Sequence, residues 1–151
     1  MIEFIEDFHK TAITHNISPY DLKFIIKLFL SIQYENHNYA YSDEFKELSY
    51  NIIEAFREEF NKYYENSADN YIKAYEEIKD KIPYSKKNET KKFFELKISK
   101  MKYNHALFYY KEKDYSYAAD LFRECLDLDN KYITNDIKSD CQYQLIFSLY
   151  F

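Results

Sequence analysis

Apolar positions recur along this chain at spacings of three and four residues almost without interruption, and strict alternation never persists. Seven helices follow from that pattern. The first covers about 2–14. The second opens with Ser18 as cap and Pro19 at the first helical position, with Asp21 three residues on. Its apolar set is Leu22, Ile25, Ile26, Phe29 and Ile32. Phe24, Leu28 and Leu30 widen that set, which predicts a central helix. The third starts at Ser42 or Asp43, runs to about Tyr64, and carries Phe45, Leu48, Ile52, Phe56, Phe60 and Tyr63 on one stripe. Asn66-Ser67 is expected to break and recap the chain. The fourth presents Tyr71, Ile72, Tyr75, Ile78 and Ile82 and is stopped by Pro83. After a polar connection at 84–88, a fifth spans about 90–112 and a sixth about 115–128. A seventh begins near Asp136 or Ser139 and is still apolar at Phe151.

Short connections favour antiparallel neighbours, so the predicted fold class is all-α, about seven antiparallel helices stacked as helical hairpins. No Pro- or Gly-rich linker divides residues 1–151, which are read as a single domain. Within it, 1–83 holds divergent hairpins, 90–130 one better-marked hairpin, and 136–151 a capping or incomplete helix. Composition strengthens this picture. The chain has no glycine, and P-loops, dinucleotide fingerprints and nucleophile elbows all require it. Hairpin turns with positive φ lose their best residue as well, which disfavours β structure. Asn substitutes where a helix must end left-handed, with Asn16, Asn38, Asn66 and Asn130 at the expected ends. Eighteen Tyr and 13 Phe are more aromatic material than a disordered chain carries.

The sixth helix places Tyr115, Ala118, Ala119, Phe122, Cys125 and Leu126 on one face. Short side chains at Ala106 and Ala118 would let the fifth and sixth helices approach closely, with Tyr109 and Phe122 filling the space beside them. The segment 103–130, YNHALFYYKEKDYSYAADLFRECLDLDN, resembles the tetratricopeptide repeat. Ala106, Tyr109, Ala118 and Phe122 carry the resemblance, with the turn Lys113-Asp114-Tyr115 and the closing run from Leu126 to Asn130. It departs from the family at Lys102, His105, Lys113 and Asn130, which stand where the family has Trp, Leu, Gly and Pro. The resemblance implies a tetratricopeptide-like α-solenoid. It also implies partner recognition on a concave surface, which would place Tyr103, Leu107, Tyr110 and Lys111 in the binding groove. Tyr103 and Leu107 differ from the Lys and Asn of the family's carboxylate-clamp version.

Little catalytic chemistry is legible. Glu6 and His9 have the spacing of a di-metal bundle pair, but no second such pair exists, so no metal and no cofactor is expected. His105 reads as a packed or boundary residue. Cys125 and Cys141 have no visible base and are expected to be buried, inert thiols. Glu58-Glu59 and Glu76-Glu77 point about 100° apart on their helices and cannot converge on one substrate. The chain is therefore read as a non-catalytic scaffold (adaptor, chaperone-like protein or inhibitor) that binds a peptide or protein surface.

Charge is segregated. Residues 43–65 carry seven acids and three bases, whereas 86–102 carry Lys86, Lys87, Lys91, Lys92, Lys97, Lys100 and Lys102 against two acids. That stretch is either a solvated face or a basic patch for an acidic partner or nucleic acid. The net charge of −5 argues against a dedicated nucleic-acid binder. The alternatives kept open are a peptide- or small-ligand-sensing regulator and a nucleic-acid-associated protein. No membrane span is expected, since the stretch around Phe24–Leu30 is short and contains Lys27. With no signal-peptide pattern and two Cys, the expected location is the cytoplasm. The apolar end LIFSLYF at 145–151 is expected to dock as a cap; an interface between copies, or a chain ending inside a repeat, are the other readings.

Overall fold

A chain without glycine must still stop its helices, and it does so with lysine and asparagine. Asn16, Lys62 and Lys113 take φ of 48°, 65° and 65°, the left-handed region. The computed structural model describes residues 2–127 and 132–150, and within them every regular element is helical. The helices are α1 (Ile2–Thr14), α2 (Pro19–Glu35), α3 (Asp43–Phe60), α4 (Tyr64–Ile78), α5 (Lys87–Lys111), α6 (Tyr115–Cys125) and α7 (Asn135–Tyr150). One-turn 3-10 helices at Tyr39–Tyr41 and Tyr84–Lys86 join α2 to α3 and α4 to α5. The Ser18 hydroxyl accepts from Asp21 N at 3.0 Å, and Ser42 caps α3 through Phe45 N. Consecutive helices from α3 to α7 pack directly on one another, so the all-α stack of hairpins is the observed architecture.

Several expected boundaries shift. α3 stops at Phe60, so its last stripe residues leave the core: Phe60 and Tyr63 are 51% and 62% exposed. Asn66 and Ser67 do not break the chain but lie inside α4. Ser67 is fully buried and donates its hydroxyl to the Ala55 carbonyl of α3 at 2.8 Å, so the group read as a cap serves a helix–helix contact. α4 ends at Ile78, before Pro83, because the chain turns to bury Ile82. α5 begins at Lys87 rather than Thr90, continuing from the 3-10 turn. α6 ends at Cys125; Leu128 and Asn130 lie outside the described residues. α2 is not central. Ile25, Leu28, Phe29 and Ile32 are buried on one face, while Tyr20, Leu30 and Tyr34 are exposed.

The α3–α4 and α5–α6 turns are the same structure. Asn61, Lys62 and Tyr63 donate to the carbonyls of Arg57, Glu59 and Glu58; Glu112, Lys113 and Asp114 donate to those of Phe108, Tyr110 and Tyr109. Each is a Schellman stop with lysine at the left-handed position. In that register Ala55 corresponds to Ala106, Ser67 to Ala118 and Tyr71 to Phe122, and all six are fully buried. The two hairpins thus share one packing rule: small residues where the helices approach, and one large ring beside them.

Two apolar clusters result. The larger joins α1 through α5 around Phe8, Phe29, Phe56, Tyr71 and Phe94. The smaller joins α5, α6 and α7 around Ala106, Ala118, Phe122, Cys125 and Cys141. α5, about 37 Å long at 1.5 Å per residue, belongs to both. α1 reaches the bundle through rings, Phe4 lying tilted against Phe29 at 4.2 Å and Phe8 against Phe56 at 5.3 Å.

Lys97 joins the first cluster's helices electrostatically. Its Nζ lies 2.7 Å from Asp21 of α2, 3.2 Å from Glu59 of α3, and 5.0 Å over the Phe56 ring. The Tyr71 hydroxyl of α4 donates to the same Glu59 at 2.9 Å. Burial, reinforced by the Glu59 carboxylate, pushes the Tyr71 phenol well above its ordinary pKa, so it stays a donor. Further along, Ser99 of α5 donates to the Tyr132 carbonyl at 2.7 Å and accepts from Thr134 N at 3.0 Å, pinning the chain entering α7.

Two outcomes test this account. Lys113→Gly should raise stability by about 0.5–1 kcal/mol in denaturant titration, because lysine there bears a left-handed backbone that glycine adopts freely. Lys97→Met should lower it by about 2 kcal/mol. The usual ~3–5 for breaking a buried pair is reduced by partial exposure of the carboxylates. An unchanged unfolding midpoint in the Met variant would remove the network from the fold's supports.

Candidate functional site

α1 and α2 contact the bundle through long side chains, and this spacing leaves a groove of about 710 Å³ between α1, α2, the Tyr39–Tyr41 turn and α3. Its floor is made by Phe4, Ala40, Phe45 and Ile53, all buried in the larger cluster's helices or the turn beside them. Its rim is apolar and open, with Leu30 46%, Tyr41 62% and Tyr50 62% exposed. Charge sits at the margins. Glu3 and Asp7 of α1 face one side, Lys46 and Arg57 of α3 the other. Arg57 pairs with Glu54 at 2.7 Å and reaches the Thr11 hydroxyl at 3.5 Å, which links α3 to α1 across the groove's end. An apolar hollow of this size with a few convergent polar groups has the character of a recognition site.

A second, smaller cleft lies at the start of α4. One part, about 400 Å³, is lined by Lys62, Tyr63, His105, Phe108 and Tyr109; the adjoining part, about 140 Å³, by Lys102, Tyr117, Glu124 and Cys125, with Glu65 and His105 common to both. Its rings pack on one another: Tyr109 on Tyr117 at 4.5 Å, Phe108 on Tyr109 at 5.2 Å, His105 on Tyr109 at 5.5 Å. His105 Nε2 lies 3.9 Å from Glu65.

The residues singled out from the resemblance fall on the opposite face of α5. Tyr103 packs on Phe122 at 6.0 Å and faces Asp140 and Gln144 of α7; burial and the Asp140 carboxylate push its phenol pKa up, Gln144 opposing them. Tyr110 lies against Tyr115 at 5.3 Å, and both Tyr103 and Tyr110 belong to the smaller cluster. Leu107 is half-buried and Lys111 exposed.

The seven lysines divide among several places. Lys97 is taken into the bundle. Lys86 pairs with Glu89 at 3.3 Å and Lys91 with Glu95 at 3.8 Å. Lys87 and Lys91 line a hollow of about 610 Å³ with Lys79 and Tyr84, while Lys86 lines another of about 300 Å³ with Lys23 and Lys27. Lys92 and Lys100 are exposed, and Lys102 lines the cleft beside Cys125.

The groove residues escaped sequence reasoning, although a signal existed. Leu30 lies outside the buried α2 face at 25, 28, 29 and 32. Tyr50 lies outside the α3 stripe at 45, 48, 52 and 56. Together with Tyr41 they make a contiguous apolar rim rather than scattered exposed residues. Among the described residues no three His, Cys, Asp or Glu side chains gather to hold a metal, and no helix is long and apolar enough to cross a membrane. Compared with known proteins, the chain matches no family model, no curated protein and no solved structure.

Tyr50→Ser should change stability by less than about 1 kcal/mol, against about 3–5 for a large aromatic truncated in the core, as at Phe56→Ala. Thermal unfolding of both variants checks that the rim is dispensable to the fold.

Proposed function

We propose that this chain is a non-catalytic interaction protein built of tetratricopeptide-like hairpins, and that it binds a segment of another protein in the groove between α1, α2 and α3. The observation that carries this reading is the open rim of Leu30, Tyr41 and Tyr50 above an apolar floor. Exposed aromatic and aliphatic side chains around a hollow of ~300–1,000 Å³ suit an apolar ligand side. An amphipathic helix with anchors at i, i+3 or i+4 and i+7 would lay them along the floor, and its charged flanks would meet Glu3 and Asp7 on one side and Lys46 and Arg57 on the other.

Two features support the repeat reading. The small-residue contacts at Ala55–Ser67 and around Ala106 and Ala118 occupy equivalent places in two hairpins. Lys113 adopts a left-handed conformation where the repeat has glycine. The pairing of Lys86, Lys91 and Lys97 with acids favours a solvated face over a nucleic-acid patch in 86–102. Association of copies through 145–151 is a second reading. Ile146, Leu149 and Tyr150 are exposed on α7; Phe151 lies outside the described residues.

Affinity capture from host lysate at moderate salt, with wild type and Tyr50→Asp side by side, is the test. Partner recovery should fall at least ten-fold, about 1.4 kcal/mol, in a variant of unchanged helicity. Equal recovery by the two proteins would count against the groove, and a dimeric mass abolished by Ile146→Asp would support the α7 reading.

A further inference from the structure

Cys125 closes α6 and Cys141 lies early in α7, fifteen residues intervening, and the fold sets them side by side. Both are free thiols buried in the smaller cluster, and each is the chief influence on the other's ionisation. Buried cysteines are ordinary; two free thiols sharing one small cluster on adjoining helices, with one of them on the wall of a cleft, are not. Cys125 lines the 140 Å³ part of the cleft together with Lys102, His105 and Glu124. The fully buried Cys141 is not among the lining residues. The site therefore has an order, with Cys125 meeting a reagent first and Cys141 held behind it.

We propose that Cys125 and Cys141 are a reactive dithiol, converted by a small hydroperoxide entering the cleft to a disulfide that joins α6 to α7. The cleft's volume admits only small reagents, since a water molecule's share of liquid is about 30 Å³. Cys141 is the largest influence on the Cys125 thiol and draws its pKa down. Burial opposes this, and the Lys102 ammonium adds to it. The same pairing, with burial, pushes Cys141 up. Its place on the cleft wall makes Cys125 the attacking thiol, and Cys141 behind it the resolving one.

The Cys125 sulfur, as thiolate, attacks one peroxide oxygen. The O–O bond breaks, and the departing oxygen takes up a proton and leaves as water, or as an alcohol from an alkyl hydroperoxide. Cys125 is then a sulfenic acid. The Cys141 sulfur, losing its proton, attacks the Cys125 sulfur; the S–O bond breaks and the hydroxyl leaves with a proton as water. Two thiols have lost two electrons and two protons, and the peroxide has been reduced. A thiol reductant restores the pair.

The experiment uses the full chain, reduced and then freed of reductant, with a few equivalents of hydrogen peroxide at neutral pH. Both thiols should disappear together, the intact mass should fall by two hydrogens, and the product should remain a single chain whose mass returns with dithiothreitol. Its unfolding midpoint should rise on the order of 5 °C, because a short loop is closed in the unfolded chain. In Cys141→Ser, a dimedone adduct should form at Cys125. In Cys125→Ser, oxidation of Cys141 should be at least ten-fold slower. If both thiols of the folded wild-type chain still titrate after excess peroxide, or if cross-linked pairs of chains form instead, the proposal is overturned without reference to any variant.

Discussion

The structure depends on how closely consecutive helices can approach. Where α3 meets α4, Ala55 leaves room for Ser67 to sit against the α3 backbone and donate to its carbonyl. Where α5 meets α6, Ala106 and Ala118 are both fully buried in one cluster. Dispersion forces fall off so steeply that a methyl group too many at such a point separates the helices along their whole length. Each close contact is followed by a large ring, Tyr71 or Phe122, which fills the wedge opening beside it. Direction is then fixed by the turns. Two identical Schellman stops, with Lys62 and Lys113 held left-handed, reverse the chain in three residues and leave no freedom for another pairing.

The aromatic abundance follows from the same arrangement. Without Trp or Gly, and with small residues reserved for the contacts, much of the remaining volume is filled by Phe and Tyr rings beside Ile and Leu, some edge-on, such as Phe56 with Tyr71 at 84° and Phe93 with Phe94 at 83°, others stacked, such as Phe24 with Phe93 at 15°. Buried tyrosine brings hydroxyls that must be satisfied, and carboxylates do this. Tyr71 donates to Glu59, Tyr39 to Glu77 and Tyr132 to Glu76. Lys97 then neutralises Glu59 and draws in Asp21, so one cation serves α2, α3 and α5 and, through Glu59, the hydroxyl of α4. Among the described residues no buried side-chain polar atom lacks a partner. These three tyrosines are thus donors tied to acids, while others, Tyr20, Tyr34, Tyr41 and Tyr50 among them, are exposed.

The groove and the thiol pair occupy different parts of this frame. The groove exists because α1 and α2 attach through Phe4, Phe8 and Phe29 instead of close backbone contact, so rings hold the helices apart and a hollow remains between them. The thiol pair exists because α7 returns alongside α6, clamped by Ser99 at Tyr132 and Thr134. Each of the two features therefore needs a long-range contact that neither of its own segments encodes.

The sequence by itself determined the number of helices, most of their starts, and much of the buried face of α3, α4 and α6, because periodicity, Ser and Pro caps and the Ala–aromatic spacing are local properties. The segment 103–130 announced its own hairpin for that reason. Its equivalent at α3–α4 stayed hidden: Ser67 replaces Ala, and Glu58 stands where Tyr109 does. Only the tertiary structure decided that Lys97 leaves its run of lysines for Asp21 and Glu59. It alone turned Tyr103 toward α7, left Leu30 and Tyr50 uncovered, and brought Cys125 to Cys141. Those outcomes depend on which helices become neighbours, and that is settled by the summed packing of small contacts and large rings across the chain, not by the spacing within any one segment.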